Sequence, residues 1–313
     1  MEQNNFFYSI IIPHYNIPIL LRRCLSSIPK REDLQIIVVD DNSSQESKLQ
    51  LEELEKEYNY VEFVYSEKNG GGGRARNIGL LYAKGKYILF ADADDFFNYC
   101  IHDILEEYIE ETCDVVFFNA SYVDTDSYLQ TTRRTTHDSA MKAYQKTKNI
   151  NCLLYMSGEP WCKLVRRNMV EKNHIRFDET PKHNDTRFSY LVGYFSETYK
   201  VDERALYCLA DRKASVSKKK SDDINELKIN IFGKKNRFLA DHGIHLFDNI
   251  MLDPFRYYFK MHDYNHLSKC YSVAAFFGFN KWFILRKLLI QSVIYRKDKI
   301  VKIWGFIKRK DYE

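Results

Sequence analysis

The chain has 313 residues, 45% of them hydrophobic, which is enough for one large domain with an extension or for two modest ones. Its net charge of +4 is unevenly spread: residues 254–313 carry +9 and the remainder −5, so a slightly acidic body precedes a basic tail. Seven scattered cysteines with no Cys-x-x-Cys pair speak against a zinc site and against a disulfide framework, and the opening MEQNNFFYSIIIP lacks the pattern of a signal peptide. No run of about 18 apolar residues is present, so no helix is expected to span a bilayer.

The first third alternates strand and helix signals. FFYSIII (6–12) is a short β-branched run closed by Pro13, and apolar residues at helical spacing follow from Pro18 to Ile28. QIIVVD (35–40) predicts a second buried strand, ended by the turn residues Asp41-Asn42-Ser43-Ser44, with Ser44 placed to cap the next helix. VEFVY (61–65) predicts a third strand, and a glycine run leads into a helix over Arg74–Ala83. Strands over 86–91 and 114–120 flank a helix over roughly 101–111. This alternation predicts a mostly parallel sheet with helices on its faces and ligands at the carboxyl ends of its strands. The pattern is mixed from 121 to 210 and mostly helical after Ser221, with ASVSKKKSDD (214–223) marking a boundary. The expected domains are therefore 1–220, with a nucleotide-binding half to about 120 and an acceptor half after it, and 221–313.

The strongest motif is Asp92-Ala93-Asp94-Asp95, directly after the apolar strand KYILFA. Three adjacent carboxylates repel one another unless a hard divalent cation lies among them, and Mg²⁺ or Mn²⁺ shares such oxygen ligands with phosphates. The plainer alternative is a solvated acidic turn or a helix cap. Asp40 and Asp41 form a second acidic pair at a strand end, suited to a base N–H or a ribose hydroxyl, or to an Asx turn. In Asn69-Gly70-Gly71-Gly72-Gly73-Arg74-Ala75-Arg76-Asn77, glycines before a helix let N–H groups face an anion, and arginines suit phosphate. The run is not a P-loop, since no Gly-Lys-Ser/Thr follows, nor a dinucleotide fingerprint, since the first strand ends without glycine.

SIIIPHYN, IIVVDDNSS, NGGGGRARNIG and GKYILFADADDF, in that order, resemble the GT-A fold glycosyltransferases of family 2 over about residues 6–215. The resemblance implies an α/β GT-A fold and transfer of a sugar, with inversion, from a nucleoside-diphosphate donor, with UDP the expected nucleotide, to an acceptor hydroxyl. It puts Pro13 and Tyr15 at the nucleobase and Asp40 and Asp41 at the base and ribose. Gly71, Gly73, Arg76 and Asn77 fall on the nucleotide-side loop, Asp92 at the ribose or metal, and Asp94 at the metal. His14 stands where Thr or Ser is usual. In GEPWCKLVRRNMVEKNHIRFDE (158–179), Trp161 and Lys163 resemble acceptor-side positions. In HNDTRF, Asn184-Asp185 stands for the family's Glu-Asp, so Asp185 is implied as the general base and Asn184 as an acceptor-side residue. Arg212, in ALYCLADRKASVS, matches weakly a residue that meets the diphosphate.

The expected cofactor is Mn²⁺ or Mg²⁺, and the expected partners are a UDP-sugar and a glycan or lipid-linked glycan of a bacterial surface polysaccharide. The aromatic and basic stretch 276–310 suggests either a packed helical extension or peripheral contact with an anionic membrane at the cytoplasmic face. No base-reading motif accompanies the charge, so nucleic acid is not an expected partner. The histidine pairs 242/245 and 262/266 lack acidic or cysteine companions and read as ordinary surface or core residues. Two rival functions remain. A nucleotidyltransferase would carry its glycine-rich loop after the first strand instead of the third. A non-catalytic nucleotide-sugar-binding protein would share the acidic motifs.

Overall fold

The computed structural model describes residues 6–132, 135–212 and 221–290. The chain divides into two compact units, 1–219 and 220–313.

The first unit is built on an eight-stranded sheet. The chain runs β1 (Tyr8–His14), α1 (Pro18–Ser26), β2 (Leu34–Asp40), α2 (Gln45–Glu57), β3 (Val61–Tyr65), α3 (Gly71–Tyr82) and β4 (Tyr87–Phe90). Then come β5 (Phe96–Phe97), α4 (Ile101–Glu107), β6 (Val115–Asp124), α5 (Thr136–Thr147) and α6 (Asn151–Met156). The unit closes with β7 (Lys163–Arg166), α7 (Arg167–Lys172), α8 (Thr186–Phe195) and β8 (Tyr199–Asp211). The strand order is β3-β2-β1-β4-β7-β6-β8-β5. One half, β3-β2-β1-β4, is wholly parallel. The other half is mixed, because β7 runs antiparallel to both β4 and β6, β8 is parallel to β6, and β5 is antiparallel to β8.

This order positions the site. From β1 the chain moves outward to β2 and β3, then returns to the other flank of β1 as β4. Such a reversal leaves a crevice at the carboxyl ends of the flanking strands. Those ends carry His14, Asp40 and the segment after Phe90. Pro13 lies within β1, paired in register with Val39, so the proline does not close the strand. The helix expected from Arg74 starts at Gly71, and the glycine run forms its first turn. Ser44 caps α2 as expected, its Oγ accepting from the Ser47 amide at 3.4 Å.

The sheet is continuously apolar where helices cover it: Ile10, Ile12, Ile36, Val38, Tyr87 and Leu89 are all buried in one core. β-branched runs buried on both faces of a parallel sheet follow from helices packing on either side.

The second unit is helical: α9 (Asp222–Asp241), a 3₁₀ turn (Asn249–Leu252), α10 (Asp253–Lys260), α11 (Tyr264–Phe276) and a helix over 281–290. Ser221 caps α9 through the Ile224 amide. Ile229, Phe232, Met251, Leu252, Phe255, Ala274 and Ile284 form its separate core. Among the described residues no helix is long and apolar enough to cross a membrane.

Candidate active site

The first-strand end is organised by a buried network. Ile17 N–H donates to His14 Nε2 at 3.1 Å, so the ring proton lies on Nδ1, which donates to Asp40 Oδ1 at 2.9 Å. The Ser43 amide and hydroxyl complete Asp40's partners, and the same hydroxyl accepts from Asn16 N–H at 2.9 Å. Burial alone would raise Asp40, yet the bonds from His14 and Ser43 outweigh it and hold the carboxyl below its ordinary range. Its oxygens hold the turn together, and His14 is the residue that orients it. Tyr15, by contrast, is half exposed, next to half-buried Pro13.

Asp41 occupies the position at which a helix N-terminus attracts an anion. Gly70 N–H donates to it at 2.9 Å and Gly71 N–H at 2.6 Å. The amides expected to meet a phosphate are thus taken by the chain's own carboxylate. Gly71 sits at φ +80°, where any side chain would be strained. Gly73 serves packing: a Cβ there would lie 2.1 Å from the Asp178 carbonyl oxygen. Asn77 is likewise drawn to that segment. Its Nδ2 donates to Phe177 O at 3.0 Å and its Oδ1 accepts from Phe177 N–H at 2.9 Å. Gly71, Gly73 and Asn77, expected at the nucleotide, therefore join α3 to neighbouring loops.

Beyond β4, a carboxylate oxygen from each of Asp92, Asp94 and Asp95 can be chosen so that all three lie within 4.8 Å of one another. Three guanidiniums surround the cluster. Arg76 pairs with Asp92, Arg212 Nε lies 2.7 Å from Asp94 Oδ2, and Arg23 donates to the Asp94 carbonyl. Tyr207 from β8 fixes the turn, its hydroxyl accepting from Asp92 N–H at 2.8 Å and donating to Asp95 Oδ2 at 2.9 Å. Ala210 N–H holds the other Asp95 oxygen at 2.8 Å. Burial, then the neighbouring carboxylates, push Asp95 well above its ordinary value. Asp94 is raised by burial and by Asp92, with Arg212 opposing. Hard oxygen donors so crowded fit a divalent cation of the Mg²⁺ or Mn²⁺ type. Nothing in the sequence pattern singled out Arg23 or Tyr207; both come from distant elements and are linked to the motif only by the fold.

Asp185 stands at the start of α8. A capping side chain reaches the helix amides from extended backbone. Asp185 is already helical at φ −84°, ψ −20°, and its carboxylate makes no capping bond. Burial first, then the charge of Glu159, push it up to about 6, while Arg76 opposes. Arg76 spans the two halves: it grips Asp92 through Nη2 and donates from Nη1 to Asn184 Oδ1 at 3.2 Å. Its guanidinium lies 5.5 Å from the Phe177 ring centre. The structure thus brings Asp92, Arg76 and Asn184 together beside Asp185.

Glu159, a residue the motif reading quoted but did not single out, caps α5 by accepting from the amides of Thr136 and His137, both at 2.9 Å. His137 is buried, donating from Nε2 to the Phe118 carbonyl and accepting at Nδ1 from Ser157. Burial pushes it down to about 4, which keeps the ring neutral.

Trp161 and Lys163 do not reach an acceptor surface. Trp161 is 3% exposed and stacks on Tyr207 with centroids 5.2 Å apart, and Lys163 is 2% exposed with its Nζ donating to Ser157 O at 2.7 Å. Both are core residues supporting the site from behind. In the second unit, His242 donates from Nδ1 to the Phe238 carbonyl, and His266 pairs with Asp263, an acidic partner that the sequence reading did not give it. Among the described residues, the Asp92, Asp94, Asp95 group is the one arranged for a cation.

The family model described as glycosyl transferase family 2 matches residues 9–173, more than half of the chain. The chain belongs to this family. It is 27% identical over 246 residues to EpsH of Bacillus subtilis (strain 168), covering 75% of this chain and 70% of that one. It is 42% identical over 93 residues to a poly(ribitol-phosphate) beta-glucosyltransferase of Bacillus spizizenii, covering 28% of this chain but 15% of that longer protein. Its fold superposes on S. aureus TarS residues 1–349, solved with UDP-GlcNAc, with a TM-score of 0.65 at 21% identity, covering 85% of this chain and 80% of that one. The GT-A fold of this family is therefore the fold of the first unit, with a helical C-terminal region after it.

Proposed function

We propose that this family 2 chain is an inverting, metal-dependent glycosyltransferase that uses a UDP-sugar and an acceptor hydroxyl on a bacterial surface glycan. The observation that carries the reading is the pairing of Asp92 and Asn184 through one guanidinium, which ties a cation-suited carboxylate cluster to the loop bearing an uncapped Asp185. Asp185 accepts the acceptor's proton as the acceptor oxygen bonds to the anomeric carbon. The bond from that carbon to the diphosphate breaks on the opposite face, and its electron pair leaves with the nucleotide. A cation held by Asp94 and Asp92 would supply positive charge to the departing diphosphate. Tyr15 and Pro13 would offer the base a face, Arg212, paired with Asp94, would meet the same phosphates, and Asp95 is held in place by Tyr207. UDP is favoured by the likeness to a protein solved with UDP-GlcNAc, and a polymeric glycan acceptor by the poly(ribitol-phosphate) transferase.

The second unit supports a membrane-surface placement. Lys281, Trp282, Arg286, Leu289 and Ile290 are exposed, and Trp282, Arg286 and Leu289 share one helix face. Residues 291–310 of the stretch expected to make this contact lie outside the described residues. Flotation with anionic but not neutral vesicles checks it.

A thermal-shift screen of nucleoside diphosphates and nucleotide sugars, with and without Mn²⁺ or Mg²⁺, tests the main reading, because a ligand of the folded state raises the melting temperature. Stabilisation by a UDP-sugar that requires the cation is expected. Release of pyrophosphate in place of UDP would establish a nucleotidyltransferase, and cation-dependent binding without turnover on any glycan acceptor a binding protein.

A further inference from the structure

The residue before Asp185 faces two ways. Asn184 Oδ1 accepts from Arg76 Nη1 at 3.2 Å, and its Nδ2 donates to the Thr180 carbonyl at 3.2 Å. An amide does both at once, whereas a carboxylate would set an acceptor against the Thr180 oxygen. Its backbone is fixed as well, since the Asn184 carbonyl accepts from Asp178 N–H at 3.0 Å. Arg76, for its part, is 8% exposed, seated against Phe177 and bonded to Asp92. Its guanidinium therefore has little freedom except what Asn184 allows.

The strongest charges acting on Asp185 come from three segments. Glu159, before β7, and Asp92, after β4, disfavour its ionised form, and Arg76, on α3, favours it. A neutral partner orients Arg76 without setting a second negative charge against it beside that of Asp92. An acidic residue at 184 would orient it too, but would add a third negative neighbour to Asp185.

We propose that Asn184 is a positioning residue that aims the Arg76 guanidinium across the two halves of the site without adding a further negative charge to those of Asp92 and Glu159 around Asp185. The inference deepens the reading of Asp185 as the base, and its physical content is independent of which sugar is moved.

The test is a carboxyl titration by ¹³C NMR on the full chain with ¹³C-labelled aspartate, free of metal and nucleotide. The Asp185 signal is identified by its loss in Asp185→Asn. Asn184→Asp, nearly isosteric, is expected to raise the Asp185 midpoint by about one pH unit, as a new like charge beside a carboxylate does. Asn184→Ala, which frees Arg76 without adding charge, is expected to raise it by less, and to have no effect in an Arg76→Met background. An unmoved midpoint in Asn184→Asp, or an Asn184→Ala shift of equal size with and without Arg76, would overturn the proposal. Nucleotide-sugar binding is not read in this titration. Its absence in the thermal-shift screen would remove the transferase reading and leave the Asn184 result standing.

Discussion

Phe90 and Phe188 meet edge to face with ring centroids 5.3 Å apart, and Phe177 lies against both, stacked on Phe188 at 4.1 Å. Phe90 ends β4 two residues before Asp92, and Phe188 follows Asp185 by three. The aromatic trio therefore anchors the carboxylate cluster and the candidate base to one another through buried rings instead of through loops. Phe188→Ala is expected to destabilise the first unit by about 3–5 kcal/mol, the range for emptying a fully buried aromatic site. Urea unfolding measures this. Phe188→Leu, which refills most of the volume, is expected to recover most of the loss.

The elevated Asp185 gives a pH signature. A base works only when ionised, so kcat/KM, which reports the free enzyme, is expected to fall about tenfold per unit below pH 6 and to level off above it. Asp185→Asn is expected to cut turnover by roughly 10²–10⁴ and to erase that limb. The linkage runs the other way for stability. The folded chain holds this proton more tightly than the unfolded one, so Asp185 adds stability as pH falls from about 6 toward 4, and its ionised form weighs against folding at pH 7.5. Asp185→Asn is thus expected to melt above the parent at pH 7.5. A variant with near-parental turnover would remove Asp185 from the chemistry.

Tyr207 orders two of the three clustered aspartates without belonging to their motif. Its removal tests whether the cluster is a cation site. Tyr207→Phe keeps the ring stacked on Trp161 and loses both hydroxyl bonds, to Asp92 N and Asp95 Oδ2. Mn²⁺ affinity, measured by calorimetry with UDP present, is expected to weaken about 10- to 100-fold, the usual cost of losing a partner that orients ligands. Asp94→Ala is expected to abolish the metal dependence of UDP binding.

The parallel half of the sheet was legible because its strands are unbroken apolar runs and its helices are periodic, so local pattern and tertiary role coincide. β5, β7 and β8 were not, since β5 has two residues and β7 four, and their pairing is set by neighbours far along the chain. In the site, the acidic motif after the fourth strand located Asp92 and Asp94, and the family resemblance pointed to Asp185. Neither could say which polar groups would be consumed internally. Asp40 is met by His14, Asp41 by the α3 amides and Asn77 by Phe177, all of them bonds that cross 26 or more residues. The family resemblance put Trp161 and Lys163 on the acceptor side, yet both are buried here. Arg76 is the reverse case: a residue read as a phosphate ligand that bridges the two halves.

The second unit depends on a buried ion pair of a kind that composition hides. Lys235 Nζ lies 2.6 Å from Asp248 Oδ2, with both side chains 3% exposed or less. Asn236 brackets the same aspartate, donating from Nδ2 to its carbonyl and accepting at Oδ1 from its amide. Because α9 reaches the segment before the 3₁₀ turn through these bonds, an unpaired charge there has no water to turn to. Lys235→Met is expected to cost about 3–5 kcal/mol by stranding Asp248. Lys235→Met combined with Asp248→Asn is expected to regain a large part of that, since a neutral amide keeps its local bonds and carries no charge. Because the first unit has its own core, the loss is expected as an early unfolding step confined to the helices of residues 222–290, visible as selective protection loss in hydrogen exchange while the β1–β4 amides stay protected. Equal loss across both units would show that the pair stabilises the whole chain as one cooperative body.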